Sequence, residues 1–296
     1  MQRMSPPMRR GLVLFTAALV LSSCRATEDT SPPAATMAAS MSRTRVPLGS
    51  PVEMTYRFTV APDASPLGSR RVFVHFLDQD DELMWTDDHE PPTPTTQWAP
   101  GQAVEYTRTM FAPVYPYVGQ AKVVGGLYAS GSNDRVKLAG DDRGDRSYLL
   151  QAFELLPQTD NVFLIYKDGW HGAEVAPEDK DLEWQWTKKE ATLAFRNPKR
   201  DAVLYLQMDN PIAQTGGARQ VEVRFGDQVL TSLPVSATDA PVHKVPLAAA
   251  SVGTGDMVEL RLVPDRTFVP ALEPGSSSGD TRELGVRVFH AYVLPS

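Results

Sequence analysis

Three stretches concentrate side chains that can do chemistry. The first runs Trp85-Thr86-Asp87-Asp88-His89-Glu90-Pro91-Pro92-Thr93-Pro94-Thr95-Thr96-Gln97-Trp98-Ala99-Pro100-Gly101. Indoles lie against the C–H faces of sugar rings, and nearby aspartate and histidine take the hydroxyls. Trp85, Asp88, His89 and Trp98 are therefore candidate ligand-binding residues in a proline-stiffened loop. The same residues admit a structural role: Trp98 closing the end of a sandwich, and Asp88 and His89 capping turn amides. The second stretch is Gly169-Trp170-His171-Gly172-Ala173-Glu174, then Glu183-Trp184-Gln185-Trp186. Trp184 and Trp186 are two apart and share one strand face, which is either core or an aromatic platform. Trp170 and His171, with Glu174 beside them, follow a strand and precede the acidic run Glu178-Asp179-Lys180-Asp181. They are the stronger candidates for an exposed contact. The third stretch is Asp280-Thr281-Arg282-Glu283, ahead of the last strand. There Arg282 between Asp280 and Glu283 predicts a bidentate salt bridge, a structural clamp.

Catalysis finds little support. The five histidines (His75, His89, His171, His243 and His290) show no HxxxH or HxH metal spacing. Gly275-Ser276-Ser277-Ser278-Gly279 matches G-x-S-x-G but lacks the following helix of a nucleophile elbow. The Asp78–Glu82 run lacks the central glycine of an EF-hand, and its twelfth position is His89. Arg143-Gly144-Asp145 reads as an acidic turn. One cysteine, Cys24, excludes an intramolecular disulfide and any CxxC metal site. No catalytic residue, metal ligand set or cofactor site is therefore expected. The 36 acidic side chains leave a facing carboxylate pair, and so a hydrolase, as a lesser alternative. A net charge of −7 over 296 residues argues against nucleic acid as a partner.

The elements that must position these residues read as strands. Val52, Met54, Tyr56, Phe58 and Val60 alternate with Glu53, Thr55, Arg57 and Thr59, a half-buried strand. Further strands are expected at Arg71–Leu77, Glu82–Trp85, Val104–Phe111, Ala121–Ala129 and Tyr148–Leu156, separated by Pro-, Gly- and Asp-rich turns, with a hairpin tip at Asp78–Asp81. This predicts an immunoglobulin-like β-sandwich over 46–157. A boundary falls near Pro157-Gln158-Thr159-Asp160. Nine more runs follow, from Val162–Lys167 to Leu284–Leu294, with a tight turn at Gly226-Asp227. They predict a jelly-roll-like sandwich over 158–296. The fold class is all-β, with no helix of twelve or more residues expected in the mature chain.

The N-terminus reads as an address. Arg3, Arg9 and Arg10 precede an apolar run, Gly11 to Leu21. As a helix it would span about 16 Å, short of a ~30 Å hydrocarbon core. It fits a cleaved signal over 1–23. The run ends Leu21-Ser22-Ser23-Cys24 and resembles a bacterial lipobox. That resemblance implies lipidation of Cys24 and attachment to the membrane through the N-terminal lipid. Arg25 in place of an aspartate favours the outer membrane. The mature chain keeps 26 basic and 36 acidic side chains, net −10, so charge would not hold it to anionic lipid. Residues 24–45, rich in Ala, Ser, Thr and Pro, read as a flexible tether.

Short motifs also carry a resemblance. Pro94-Thr95, Trp98-Ala99-Pro100-Gly101, Tyr115-Pro116-Tyr117, Gly125-Gly126-Leu127-Tyr128 and Arg135 to Leu138 are similar to an extracytoplasmic β module of bacterial membrane glycosyltransferases. Gly169-Trp170, Glu174, Trp184 to Thr187, Phe268-Val269-Pro270 and Asp280 to Gly285 resemble a β-sandwich of polysaccharide-related bacterial proteins. The resemblance implies an envelope or glycan setting and carries no catalytic residue across. The expectation is a non-catalytic envelope protein that binds or scaffolds around envelope polysaccharide. The alternative is an assembly lipoprotein that binds an envelope protein.

Overall fold

Alternating apolar residues build the strands, and the Pro-, Gly- and Asp-rich segments between them build the turns. The computed structural model describes residues 29–132, 134–158, 162–180, 182–212 and 216–296. The chain divides into two units, Met1–Pro32 and Pro33–Ser296. In the first unit the described residues are 29–32, where the Ser31 amide and hydroxyl both donate to Asp29 Oδ1 at 3.0 and 2.6 Å. The signal segment and Cys24 lie outside the described residues, as does part of the expected boundary at 157–160. Among the described residues there is no α-helix, and so none long and apolar enough to cross a membrane.

The larger unit begins with nine strands: β1 (Ala35–Met41), β2 (Arg45–Pro47), β3 (Pro51–Val60), β4 (Arg71–Leu77), β5 (Leu83–Thr86), β6 (Ala103–Phe111), β7 (Gly119–Tyr128), β8 (Leu138–Ala139) and β9 (Tyr148–Leu156). They form two sheets, β6-β3-β1-β8 and β2-β9-β7-β4-β5. Val52, Met54, Tyr56, Phe58 and Val60 of β3 face Val72, Val74 and Phe76 of β4, Val123 of β7, and Phe153 and Leu155 of β9 in one buried core. At the β4–β5 hairpin, Asp78 Oδ1 accepts the amides of Asp80 and Glu82, both at 2.9 Å, and so fixes the tip. On β7, a Cβ at Gly126 would stand 2.6 Å from the Phe73 ring. Glycine there lets β4 and β7 seat that ring.

The expected tether over 24–45 is corrected by the fold. Residues 35–41 form a strand that pairs with β3 in unbroken antiparallel register, from Ala35 opposite Val60 to Met41 opposite Met54. Its inward side chains, Ala35 and Met37, are buried. Most of these side chains are small, so the strand depends on its partner rather than on a strong pattern of its own.

Ten strands follow: β10 (Leu164–Tyr166), β11 (Glu174–Val175), β12 (Glu183–Trp186), β13 (Ala191–Arg196), β14 (Ala202–Asp209), β15 (Gln220–Phe225), β16 (Gln228–Pro234), β17 (Val242–Leu247), β18 (Met257–Pro264) and β19 (Arg287–Pro295). Their sheets run β10-β13-β18-β15-β16 and β11-β12-β19-β14-β17, antiparallel throughout. Leu193, Leu204, Leu206, Val223, Leu260 and Val288 share the core between them. Gly226 turns the β15–β16 hairpin with φ 54°. The two halves meet through a Lys244–Glu53 ion pair at 3.0 Å and a Phe111–His290 stack with centroids 4.9 Å apart.

Candidate functional site

A cleft of about 1290 Å³ opens where the halves meet. One wall carries Trp85 of β5, Asp87, and Thr107, Arg108 and Thr109 of β6. The other carries Gln207 of β14, Asp239 and His290 of β19, and the loop with Tyr115 overhangs.

The first wall is built from strand parity. Beyond β5 the chain keeps its course along β4: the Asp87 amide donates to the Val74 carbonyl, and His89 exchanges two hydrogen bonds with Val72. Trp85, Asp87 and His89 therefore share one face and Asp88 takes the other. Asp87 is buried and accepts the Tyr56 hydroxyl at 2.8 Å. Arg108 holds the same carboxylate through Nε at 3.0 and 3.1 Å and Nη2 at 2.8 Å. His89 completes the cluster, with Nδ1 2.6 Å from the Asp87 carbonyl and Nε2 2.8 Å from the Tyr106 hydroxyl. Burial, reinforced by the Asp87 charge, raises the Tyr56 hydroxyl far above its ordinary pKa. Burial works against the Arg108 charge, but the Asp87 hydrogen bonds and charge, with the nearby Tyr56 and Tyr106, together outweigh it and raise its pKa. Burial lowers the His89 pKa below the ordinary imidazole value of 6.5. The result is a pinned guanidinium whose Nη1 donates to no protein acceptor among the described residues.

Trp85 is the aromatic part of this wall. Phe76 covers one face of its indole at 4.4 Å and 11°, and Phe153 meets it edge-on at 6.1 Å. Its Nε1 is buried without a hydrogen-bond partner among the described residues. Opposite, His290 Nδ1 lies 3.0 Å from Gln207 Oε1, and burial lowers the His290 pKa.

Of the nine ligand-binding residues expected from the sequence, only Trp85 lines the cleft. Asp88 sits on the outward face, where it accepts the Val74 amide at 3.0 Å, with His75 Nε2 3.6 Å away. The expectation for Trp98 is corrected. It is buried against Phe58 at 4.9 Å and donates to the Thr93 carbonyl, so it plugs the core and offers no face to a ligand. His89 is likewise inward and saturated by its own cluster.

The second expected cluster is internally engaged as well. Gly169 has φ 83°, and a Cβ there would run into the Glu190 carbonyl, so glycine sets the close approach that delivers Trp170. Trp170 packs on Tyr166 at 4.6 Å and donates to the Thr192 carbonyl at 2.9 Å. Trp184 and Trp186 flank Arg287, whose guanidinium lies 5.0 and 5.9 Å from their rings and grips Asp209 through two bonds. Trp186 is buried, so of the two alternatives for its strand face it takes the core and not the platform. His171 Nε2 lies 2.8 Å from the Glu283 carbonyl. Arg282 bridges Asp280 and Glu174, at 2.7 Å each, and its hydrogen bonds pull the Asp280 carboxyl down to about 2. Glu283 instead accepts the Thr267 hydroxyl.

Sequence reasoning missed Asp87, Arg108, Gln207, Asp239 and His290. Parity with Trp85 and His89 selects Asp87 over Asp88. Arg108 shares the inward face of β6 with Val104 and Tyr106, a position where a charge needs a buried acceptor. Among the described residues no group of three or more His, Cys, Asp or Glu side chains could hold a metal ion.

No protein-family model and no curated protein matches this chain. Among solved structures it is similar to the CARDB domain of a Pyrococcus furiosus protein, at 13% identity and TM-score 0.27, covering 42% of this chain and 89% of that one. It is also similar to the CBM51-2 and INT domains of Clostridium perfringens ZmpB, at 9% and 0.25, covering 62% of this chain and 38% of that one. A third is Bacteroides uniformis beta-glucuronidase 2, at 10% and 0.28, covering 87% and 30%. This chain thus spans well under half of the last two. Likeness at this level assigns neither ligand nor reaction.

Proposed function

We propose that this is a lipid-anchored protein of the bacterial envelope that binds carbohydrate in the cleft and performs no reaction on it. The observation that carries the reading is Trp85. Its indole is backed by Phe76 on one face and stands in a wide cleft beside the pinned Arg108. An aromatic platform with fixed, directional donors suits a sugar ring, whose faces are C–H and whose rim is hydroxyl. The strand order of the first half supports an immunoglobulin-like sandwich, and the paired five-stranded sheets of the second support a jelly roll.

Isothermal titration against envelope polysaccharide fragments tests the site. Trp85→Ala should abolish binding, and unchanged affinity would remove the cleft from the reading. Anchoring has its own test: Cys24→Ser should leave an unprocessed precursor without label in metabolic lipid labelling, and persistent acylation would refute it.

One observation favours the second reading, a protein-binding assembly role. Phe163, Ile165 and Met257, exposed at 77%, 41% and 46%, line a hollow of about 490 Å³ together with Val162, Arg196 and Pro198. Single apolar residues on a surface are ordinary, but a contiguous patch marks a contact. Partner proteins recovered after mild detergent extraction and lost in Phe163→Asp would favour it.

A further inference from the structure

We infer that the glycan accepted by the cleft is uncharged, and that chains bearing carboxylate or phosphate groups are rejected. The inference rests on the carbohydrate reading above and deepens it from the charges of the walls.

Arg108 is the only Lys or Arg lining the cleft among the described residues. Its charge is already spent. Nε and Nη2 both go to the Asp87 carboxylate, and the buried Tyr56 hydroxyl completes that carboxylate's shell. The pair is neutral as a unit, so what Arg108 still offers is the direction of its Nη1 protons rather than a net charge. The opposite wall adds a second acid. Asp239 is exposed, accepts hydrogen bonds from Ser236 and Thr238, and forms no salt bridge with Lys or Arg among the described residues; its charge acts on His243, whose pKa burial nonetheless lowers. His290 is a poor source of compensating charge, because desolvation lowers its pKa below the ordinary imidazole value and disfavours the cation. The lining therefore carries about one net negative charge, within a chain of net −7. An anionic ligand would give up its hydration and find no free cation, and it would also face Asp239. A sugar hydroxyl has no such difficulty. It donates to Asp239 or to Gln207 Oε1, and it accepts from Arg108 Nη1 or the threonine hydroxyls.

The test is isothermal titration of the full chain with neutral gluco-, manno- and galacto-hexasaccharides and with the same hexamers oxidised to carboxylates at C6. A neutral member should bind, and its oxidised counterpart should bind at least about ten-fold more weakly at low salt, the scale of one like-charge contact near a protein surface. The gap should narrow in Asp239→Asn and at raised ionic strength. Asp239 is exposed and outside the core, so its substitution leaves folding intact. An oxidised hexamer that binds as well as its neutral parent would overturn the charge inference and leave the carbohydrate reading standing. Failure of every hexamer to bind would overturn both.

Discussion

Removing the Asp87 carboxylate should loosen the first half of the molecule and the cleft wall together. In Asp87→Ala the Tyr56 hydroxyl, on a fully buried residue, loses its acceptor. A buried donor left unpaired costs about 1–3 kcal/mol. Arg108 loses all three of its contacts. Breaking a fully buried ion pair costs about 3–5 kcal/mol, but the Arg108 side chain is 39% exposed and water can replace part of the loss. That contribution therefore falls to about 1 kcal/mol, and the total to about 3 kcal/mol. Asp87→Asn keeps one oxygen acceptor and should lose about half as much. Tyr56→Phe leaves Asp87 with Arg108 and should cost about 1 kcal/mol. Because Tyr56 and Asp87 share one bond, the double variant should fall short of additivity by about 0.5–1 kcal/mol. Urea unfolding followed by tryptophan emission reads all four proteins. Trp98 sits in the first core with Trp85 packed against it, so their emission reports the first half, whereas the other three tryptophans pack in the second. A loss under about 0.5 kcal/mol in Asp87→Ala, or strict additivity in the cycle, would refute the buried-network account.

The histidines set a pH dependence. Burial holds His75, His89, His243 and His290 below the ordinary value of 6.5. Below that value the unfolded chain binds protons that the folded chain refuses, so stability rises with pH and is lost as pH falls through about 6.5. Urea midpoints at pH 7.5 and 5.5 measure this, and an equal or higher midpoint at 5.5 would contradict it. Gly126→Ala would press a methyl group into the Phe73 ring, which Arg135 caps at 4.3 Å. It should cost about 1–3 kcal/mol in thermal unfolding. Trp98→Ala opens a cavity against Phe58 and should cost about 3–5 kcal/mol. Its glycan affinity, measured below the unfolding range, should match the parent, in contrast to Trp85→Ala.

How much was legible in the sequence follows from where the information is stored. Arg71–Leu77 and Tyr148–Leu156 match their observed strands to the residue, because each is a short run rich in apolar and aromatic side chains bounded by turn residues. Ala35–Met41 was illegible because most of its side chains are small and its pattern exists only opposite β3. For the site, the first wall was half legible: Trp85 was recognised, and parity singles out Asp87. The second wall was not, since Gln207, Asp239 and His290 reach Trp85 only through the docking of the two halves. Nor does an inward charge mark a ligand site by itself. Arg108 and Arg287 are both arginines set against aromatic side chains, and each is answered by a bidentate aspartate, Asp87 and Asp209. Arg287 lies among Trp184, Trp186 and Phe289 and serves packing, whereas Arg108 fronts a cleft. Locally the two look alike. What separates them is whether the rest of the fold leaves room beside the guanidinium, and that is decided by contacts more than a hundred residues away.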